Sequence, residues 1–332
     1  MSFEHIFGHA RPIELLKRAV AENFLAHALL FTGIKGVGKT TLATAAAKAL
    51  LCSGATQGNA CEICDSCRRF ARTQHPDFLE VAPTKKDITI DQVRSVQHLF
   101  RIPPVLGKNR VVLIKDAGTM NTYAAGALLK TLEEPSAGNF LFLTVENERE
   151  LFPTIVSRCQ SIRLTPLSHA ELVEILVKKE RLSEAEAATI CELSGGSYGR
   201  AISMIQGRKD VEGDILLRRS RFIERLQALN KNDTVSLLRL AQELDQLNEE
   251  LFDFLEMIKL WLRDLLLCRC GADEDAYANK DLILLIKKYG PNEKIEHIFK
   301  KLEDLDEARM RLLNNGNRQL IMEVLLFRLA LA

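Results

Sequence analysis

Apolar and polar positions follow two different rhythms along the 332 residues. In the first half, short unbroken apolar runs stand between glycines and charges: Ala28–Thr32 (ALLFT), Arg110–Ile114 (RVVLI) and Phe140–Val145 (FLFLTV), with Leu79–Ala82 (LEVA) a weaker fourth. Runs of this length without alternation predict strands buried on both faces, as in a parallel sheet. Each strand is followed by a helical pattern, so the expected units are right-handed βαβ crossovers with helices on both faces of an open sheet.

The rhythm changes after Pro166. Ser168 stands three residues before Glu171 and ahead of Leu172, Ile175 and Leu176, and Ser183 stands likewise before Glu186. Both are capping boxes that start helices. A third short helix follows the Gly195–Gly199 turn, which makes residues 167–208 a three-helix lid. Beyond it, apolar positions recur at helical spacing in Val211–Leu229, Thr234–Leu247, Glu249–Leu267 and Lys294–Asn314. Only Pro291 among nine prolines lies after Pro166, and prolines and glycines punctuate strands and turns, so the last third should be almost wholly helical. The expected organisation is an α/β domain at 1–166, a lid at 167–208 and an all-α domain at 209–332.

Composition narrows the function classes. With 45 Lys+Arg against 44 Asp+Glu the net charge is +1, which removes the case for a strongly basic nucleic-acid binder and leaves room only for a local patch. Hydrophobic residues at 47% and charged residues at 27% exclude a disordered or fibrous chain. No apolar run reaches the 18 or so residues that span a bilayer, and the N-terminus lacks the basic-then-apolar layout of a signal peptide. A cytoplasmic protein without membrane contact is expected. Arg218, Arg219, Arg221 and Arg225 could touch DNA phosphates, although such a run at mixed spacing more often forms a solvated face. Trp261, within an apolar helix, reads as core.

Gly33-Ile-Lys-Gly-Val-Gly-Lys39-Thr40 fits G-x-x-x-x-G-K-[ST] directly after an apolar strand and at the opening of a helix, the context this motif requires. Glycines let successive N–H groups line one concavity, and the helix N-terminus adds its positive dipole end. Lys39 would reach the β- and γ-phosphates of ATP and the Thr40 hydroxyl would bind Mg²⁺, making Gly33, Gly36, Gly38, Lys39, Thr40 and Thr41 the candidate nucleotide-binding residues. Hydrolysis needs a second strand ending in Asp-Glu. Here the strand Val111–Ile114 is followed by Lys115 and Asp116. A lysine at the metal-ligand position repels Mg²⁺, and Asp116, a weak candidate for water activation, is one methylene short. The expected site binds ATP and turns it over poorly.

Four of eight cysteines, Cys52, Cys61, Cys64 and Cys67, fall within sixteen residues, and in a reducing compartment such spacing points to metal and not disulfides. Four thiolates close a tetrahedron and leave no open position, so the expectation is a structural zinc in an insert at about residues 52–75.

Taken together, HALLFTGIKGVGKTTLA, the cysteine insert, HPDF (His75–Phe78), GALLKTLEEP (Gly126–Pro135) and SRC (Ser157–Cys159) resemble the clamp-loader subunits of bacterial DNA polymerase III, an AAA+ family. The resemblance covers most of residues 1–208. It implies an AAA+ α/β domain with a zinc insert, a lid and a helical collar that fixes a hetero-pentamer with gamma/tau and delta subunits. It implies membership of a nucleotidyltransferase holoenzyme, with sliding clamp and primed DNA engaged through the complex. Arg158 is then an arginine finger offered in trans to a neighbour's ATP, and Thr144 sits where such proteins place a γ-phosphate sensor. Lys115-Asp116, the HPD segment and the lack of a proline-rich extension depart from the gamma/tau motor pattern and point to a non-motor ring subunit. A sensing arginine expected soon after Gly-Ser falls on Gly199. Arg200 comes one residue late, about 100° round a helix. Two alternatives remain: an ATP-hydrolysing motor of the gamma/tau type, and a nucleotide-gated adaptor outside replication.

Overall fold

The computed structural model describes residues 2–84, 86–206, 215–228, 233–247, 250–313 and 316–331. They form two compact units. One comprises Met1–Leu167 with Ser197–Gly199, the other Ser168–Gly196 with Arg200–Ala332.

The first unit runs α1 (Ala10–Ala21), β1 (Ala28–Thr32), α2 (Lys39–Leu51), α3 (Asp65–Ala71), β2 (Phe78–Val81), α4 (Ile90–Phe100), β3 (Arg110–Ile114), α5 (Thr122–Glu133), β4 (Asn139–Val145), α6 (Pro153–Val156) and β5 (Gln160–Arg163). The sheet order is β2-β3-β4-β1-β5, and every pairing is parallel. Successive strand residues point to opposite faces. Leu30, Val112, Leu141 and Leu143 accordingly pack with α4 and α5 residues such as Val96 and Leu128. Leu29, Phe31, Val111, Leu113 and Phe142 pack on the other face with Leu16, Leu42 and Ala46 of α1 and α2. Both faces are covered, which is why these strands read as continuous apolar runs.

β5 has no such run. Gln160, Ser161 and Arg163 are exposed and only Ile162 is buried, because this strand forms a sheet edge. It escaped the sequence pattern for that reason.

At the other end of the sheet order, a buried ion pair fixes the chain entering β3. Asp77 accepts from the N–H groups of Val105 and Leu106, each at 2.7 Å, and from Arg110 at 3.1 Å. The same guanidinium donates to the carbonyls of Leu99, Ile102 and Pro103 at 2.5–3.0 Å.

The second unit contains α7 (His169–Glu180), α8 (Glu184–Ser194), most of α9 (Tyr198–Gln206), α10 (Ile215–Ala228), α11 (Thr234–Asp245), α12 (Glu250–Arg269), α13 (Ile283–Tyr289), α14 (Ile295–Leu313) and α15 (Arg318–Leu331). The Ser168–Glu171 and Ser183–Glu186 capping boxes are both closed. Trp261 is fully buried in a core that α10 to α15 share. One shorter feature differs from the sequence expectation. Arg219 is fully buried and bonded to Asp281, so the arginine segment is no uniformly solvated face. Arg225 pairs with Glu243 at 2.6 Å. The expected helix start at Val211 and the boundary at 208–209 lie outside the described residues.

Candidate functional site

The phosphate loop joins β1 to α2. Gly33, Gly36 and Gly38 have φ of 146°, 76° and 109°, a region side-chain-bearing residues seldom enter. A Cβ on Gly33 would also lie 2.6 Å from the Leu164 carbonyl oxygen. Every carbonyl from Gly33 to Gly38 accepts a hydrogen bond. Lys39 Nζ donates to Gly33 and Ile34 at 2.6 and 3.0 Å, and Ser197 Oγ donates to Lys35 at 2.9 Å. Gly199 N–H donates to Gly36, His9 Nε2–H to Val37 and Leu42 N–H to Gly38, each at 2.9 Å. An α-helix leaves its first N–H groups without intrahelical partners, so the start of α2 at Lys39, Thr40 and Thr41 is oriented for an anion.

Lys39 is buried, and that burial lowers its pKa against the pull of Glu146, Asp116 and Glu150. To meet a phosphate, its ammonium would exchange the two loop carbonyls for phosphate oxygens. Thr40 and Thr41 are half-buried in the same turn.

The strand ends beside this loop are differently built. Lys115, at the end of β3, donates to Glu80 of β2 at 2.5 Å, a pairing that holds it at the strand end. Asp116 sits in left-handed backbone at φ 49°, and its N–H donates to the buried Thr144 hydroxyl at 3.1 Å. Thr144 thus ties the ends of β3 and β4 together. Gly199 stands where the family resemblance leads one to expect a sensing arginine. A Cβ there would stand 2.6 Å from the Gly36 carbonyl oxygen, so the backbone contact with the loop excludes a side chain. Arg200 turns elsewhere and pairs with Asp253 at 2.6 Å.

The cysteines converge. The sulfurs of Cys52, Cys61, Cys64 and Cys67 all lie within 4.8 Å of one another. Tetrahedral Zn–S bonds of about 2.3 Å put sulfurs about 3.8 Å apart. Cys52 Sγ stands 3.4 Å from Cys61 Sγ and 3.8 Å from Cys64 Sγ, so the residues fit such an ion. Burial opposes ionisation of Cys64, but hydrogen bonds from the Ser53 side chain, Cys67 N–H, Ser53 N–H and Cys61 outweigh it and bring the thiol down to about 5. A thiolate in this nest is what a divalent ion needs. Ser66, on α3 beside the ligands, bonds the buried His75 at 2.9 Å and the Leu51 carbonyl at 2.7 Å, which anchors the module to the end of α2.

Arg158 follows the short α6. Its guanidinium donates to Glu133 Oε1 at 2.7 Å and to the Thr154 carbonyl at 3.1 Å, and its side chain is 37% exposed. The sequence signalled the loop, the cysteines and Arg158. It gave no sign of the pairings made by His9, Ser197 and Glu133, whose partners lie 28, 162 and 25 residues away.

Residues 8–168 match the family described as "DNA polymerase III, delta subunit", and residues 214–330 match "DNA polymerase III, delta subunit, C terminal". The DNA polymerase III subunit delta' of Pseudomonas aeruginosa is 32% identical over 311 residues, covering 92% of each chain. The chain belongs to the delta-prime family of DNA polymerase III subunits. The Bacillus subtilis member is 27% identical over 96% of this chain and 95% of its own length. The Escherichia coli subunit tau is 29% identical, over 61% of this chain and 32% of its own length. The Pseudomonas aeruginosa and Bacillus subtilis alignments run through the helical second unit, whereas the Escherichia coli delta' is 34% identical over 54% of this chain. Among the described residues no helix is long and apolar enough to cross a membrane.

Proposed function

We propose that this delta-prime family member is a largely non-catalytic clamp-loader subunit. It works in the cytoplasm within a pentamer of gamma/tau and delta partners, supplies Arg158 in trans to a neighbour's ATP, and helps place the sliding clamp on primed DNA. The observation that carries this reading is an asymmetry. The chain's own loop has Lys115 where a magnesium ligand is needed and Gly199 where a sensing arginine is needed, while Arg158 stands exposed on the surface. An arginine suits the finger role because its planar, permanently charged fork stabilises charge on a transferring phosphoryl group.

The intact loop supports binding of ATP with Mg²⁺ through Lys39 and Thr40, with Thr144 near the γ-phosphate and Asp116 a poor water activator. ATP held there would serve as a structural ligand. Reconstitution with gamma/tau and delta tests the whole reading. Arg158→Ala should lower DNA- and clamp-stimulated ATP turnover by a factor of about 10 or more without blocking assembly, since fingers are worth about 10³–10⁵ where fully rate-limiting. The isolated chain should be inactive. Vigorous turnover by the chain alone, abolished by Lys39→Ala, would mean a motor subunit.

The cysteine module takes a structural zinc in this reading. Elemental analysis should find one zinc per chain, and Cys64→Ser should lose it together with cooperative melting of the module. A full-length protein that is metal-free yet melts identically would overturn the assignment.

A further inference from the structure

We infer that Glu133, the last residue of α5, is the positioning residue for Arg158; this rests on the finger reading above. Arg158 lies just beyond α6, four residues long, on a surface turn. A side chain of this length on a surface turn would sample many rotamers, and ordering it at the moment of catalysis would cost entropy.

Two anchors prevent this. The Thr154 carbonyl takes one N–H of the first terminal nitrogen at 3.1 Å, and Glu133 Oε1 takes one N–H of the other at 2.7 Å. A third contact, to Ser157 Oγ, is long at 3.5 Å. Thr154 and Ser157 belong to the same turn as Arg158 and move with it. Among the described residues, Glu133 alone ties the guanidinium to a different element, a helix whose Leu128 and Leu132 are buried in the core.

A guanidinium has five N–H donors in one rigid fork. The two short anchors occupy one donor on each terminal nitrogen, so a phosphoryl oxygen can be met by the rest while both anchors stay made. The carboxylate also keeps the cation compensated until an anion arrives. With the side chain 37% exposed and its partner 52% exposed, the pair is open to solvent and exchangeable. Glu133 therefore orients without competing strongly.

The test is a double-mutant cycle in the complex reconstituted with gamma/tau and delta subunits, with assembly of each variant checked by gel filtration. Exposed ion pairs correspond to a rate change of up to about fivefold. Glu133→Ala should lower the kcat of DNA- and clamp-stimulated ATP turnover by about two- to fivefold and leave KM for ATP unchanged, as for an interaction realised in the transition state. Glu133→Gln, which keeps the acceptor oxygen and the volume, should recover most of the loss; it also serves as the second variant if truncation disturbs α5. In an Arg158→Ala background neither substitution should have further effect.

If Arg158→Ala lowers turnover and Glu133→Ala does not, or if the two losses multiply, the positioning role is wrong and the finger stands. If Arg158→Ala itself changes nothing, the finger reading fails and takes this inference with it.

Discussion

Two arginine–carboxylate pairs in the first unit have similar chemistry and opposite settings. Arg110 and Asp77 are 1% and 0% exposed, and between them they bind three carbonyls and two N–H groups of the chain from Leu99 to Leu106. Arg158 and Glu133 are 37% and 52% exposed, and among the described residues the Thr154 carbonyl is the one other close partner of Arg158. The first pair is buried and spends its hydrogen bonds on the backbone of that segment, so it holds a loop in place. The second keeps donors toward solvent, so it can meet something from outside. Burial and the number of committed donors separate a structural arginine from one available for work.

The sharpest way to break that comparison is at the buried pair. Asp77→Ala leaves the Arg110 charge buried without its partner, together with two backbone N–H groups, and should cost about 3–5 kcal/mol. Urea denaturation of the purified chain reads this directly. A loss below about 1 kcal/mol would mean that the pair contributes no more than an exposed one.

Gly199 lies between the two extremes, as a backbone contact with no charge. Gly199→Ala would place a Cβ 2.6 Å from the Gly36 carbonyl oxygen, and relieving that overlap should cost about 1–3 kcal/mol. Because the contact bears on the phosphate loop, thermal melting with and without ATP and Mg²⁺ should show the destabilisation in both conditions. A variant as stable as the wild type would show that Ser197–Gly199 does not fasten the loop.

Arg158→Ala reverses the order of effects. Its stability cost should stay under about 1 kcal/mol, the range for an exposed pair, even where turnover of the reconstituted complex falls tenfold or more. Equal and large losses of both would make Arg158 a structural residue like Arg110.

These positions also show what the sequence could carry. The phosphate loop was legible because its chemistry needs glycines and a lysine at fixed spacing between a strand and a helix. The buried strands were legible because both their faces are covered: β1 and β3 lie where their apolar runs stand, and β4 starts one residue earlier, at Asn139. β5 was not, since an edge strand exposes most of its residues and follows no apolar run. Nor was the difference between Arg110 and Arg158 as side chains. Arg110 opens an apolar run and Arg158 follows one helical turn, and neither context states how many acceptors will surround the guanidinium. Arg219 makes the same point from the other side, because a run of arginines at mixed spacing contained one that is fully buried. Partners such as Glu133 and Ser197 arrive through folding, at separations that leave no periodic trace.

The smallest effect is the most discriminating. Glu133→Ala should change the stability of the isolated chain by no more than about 0.5 kcal/mol, because surface substitutions away from buried networks rarely exceed that. Glu133 ends α5, where a carboxylate faces the negative end of the helix dipole, so its removal can even be slightly favourable there. A stability change near zero combined with the kcat loss in the complex would mean that α5 retains its glutamate for where it holds Arg158. A loss of several kcal/mol would place the Arg158–Glu133 pair with Arg110–Asp77 as structural, and the contrast between the two pairs would collapse.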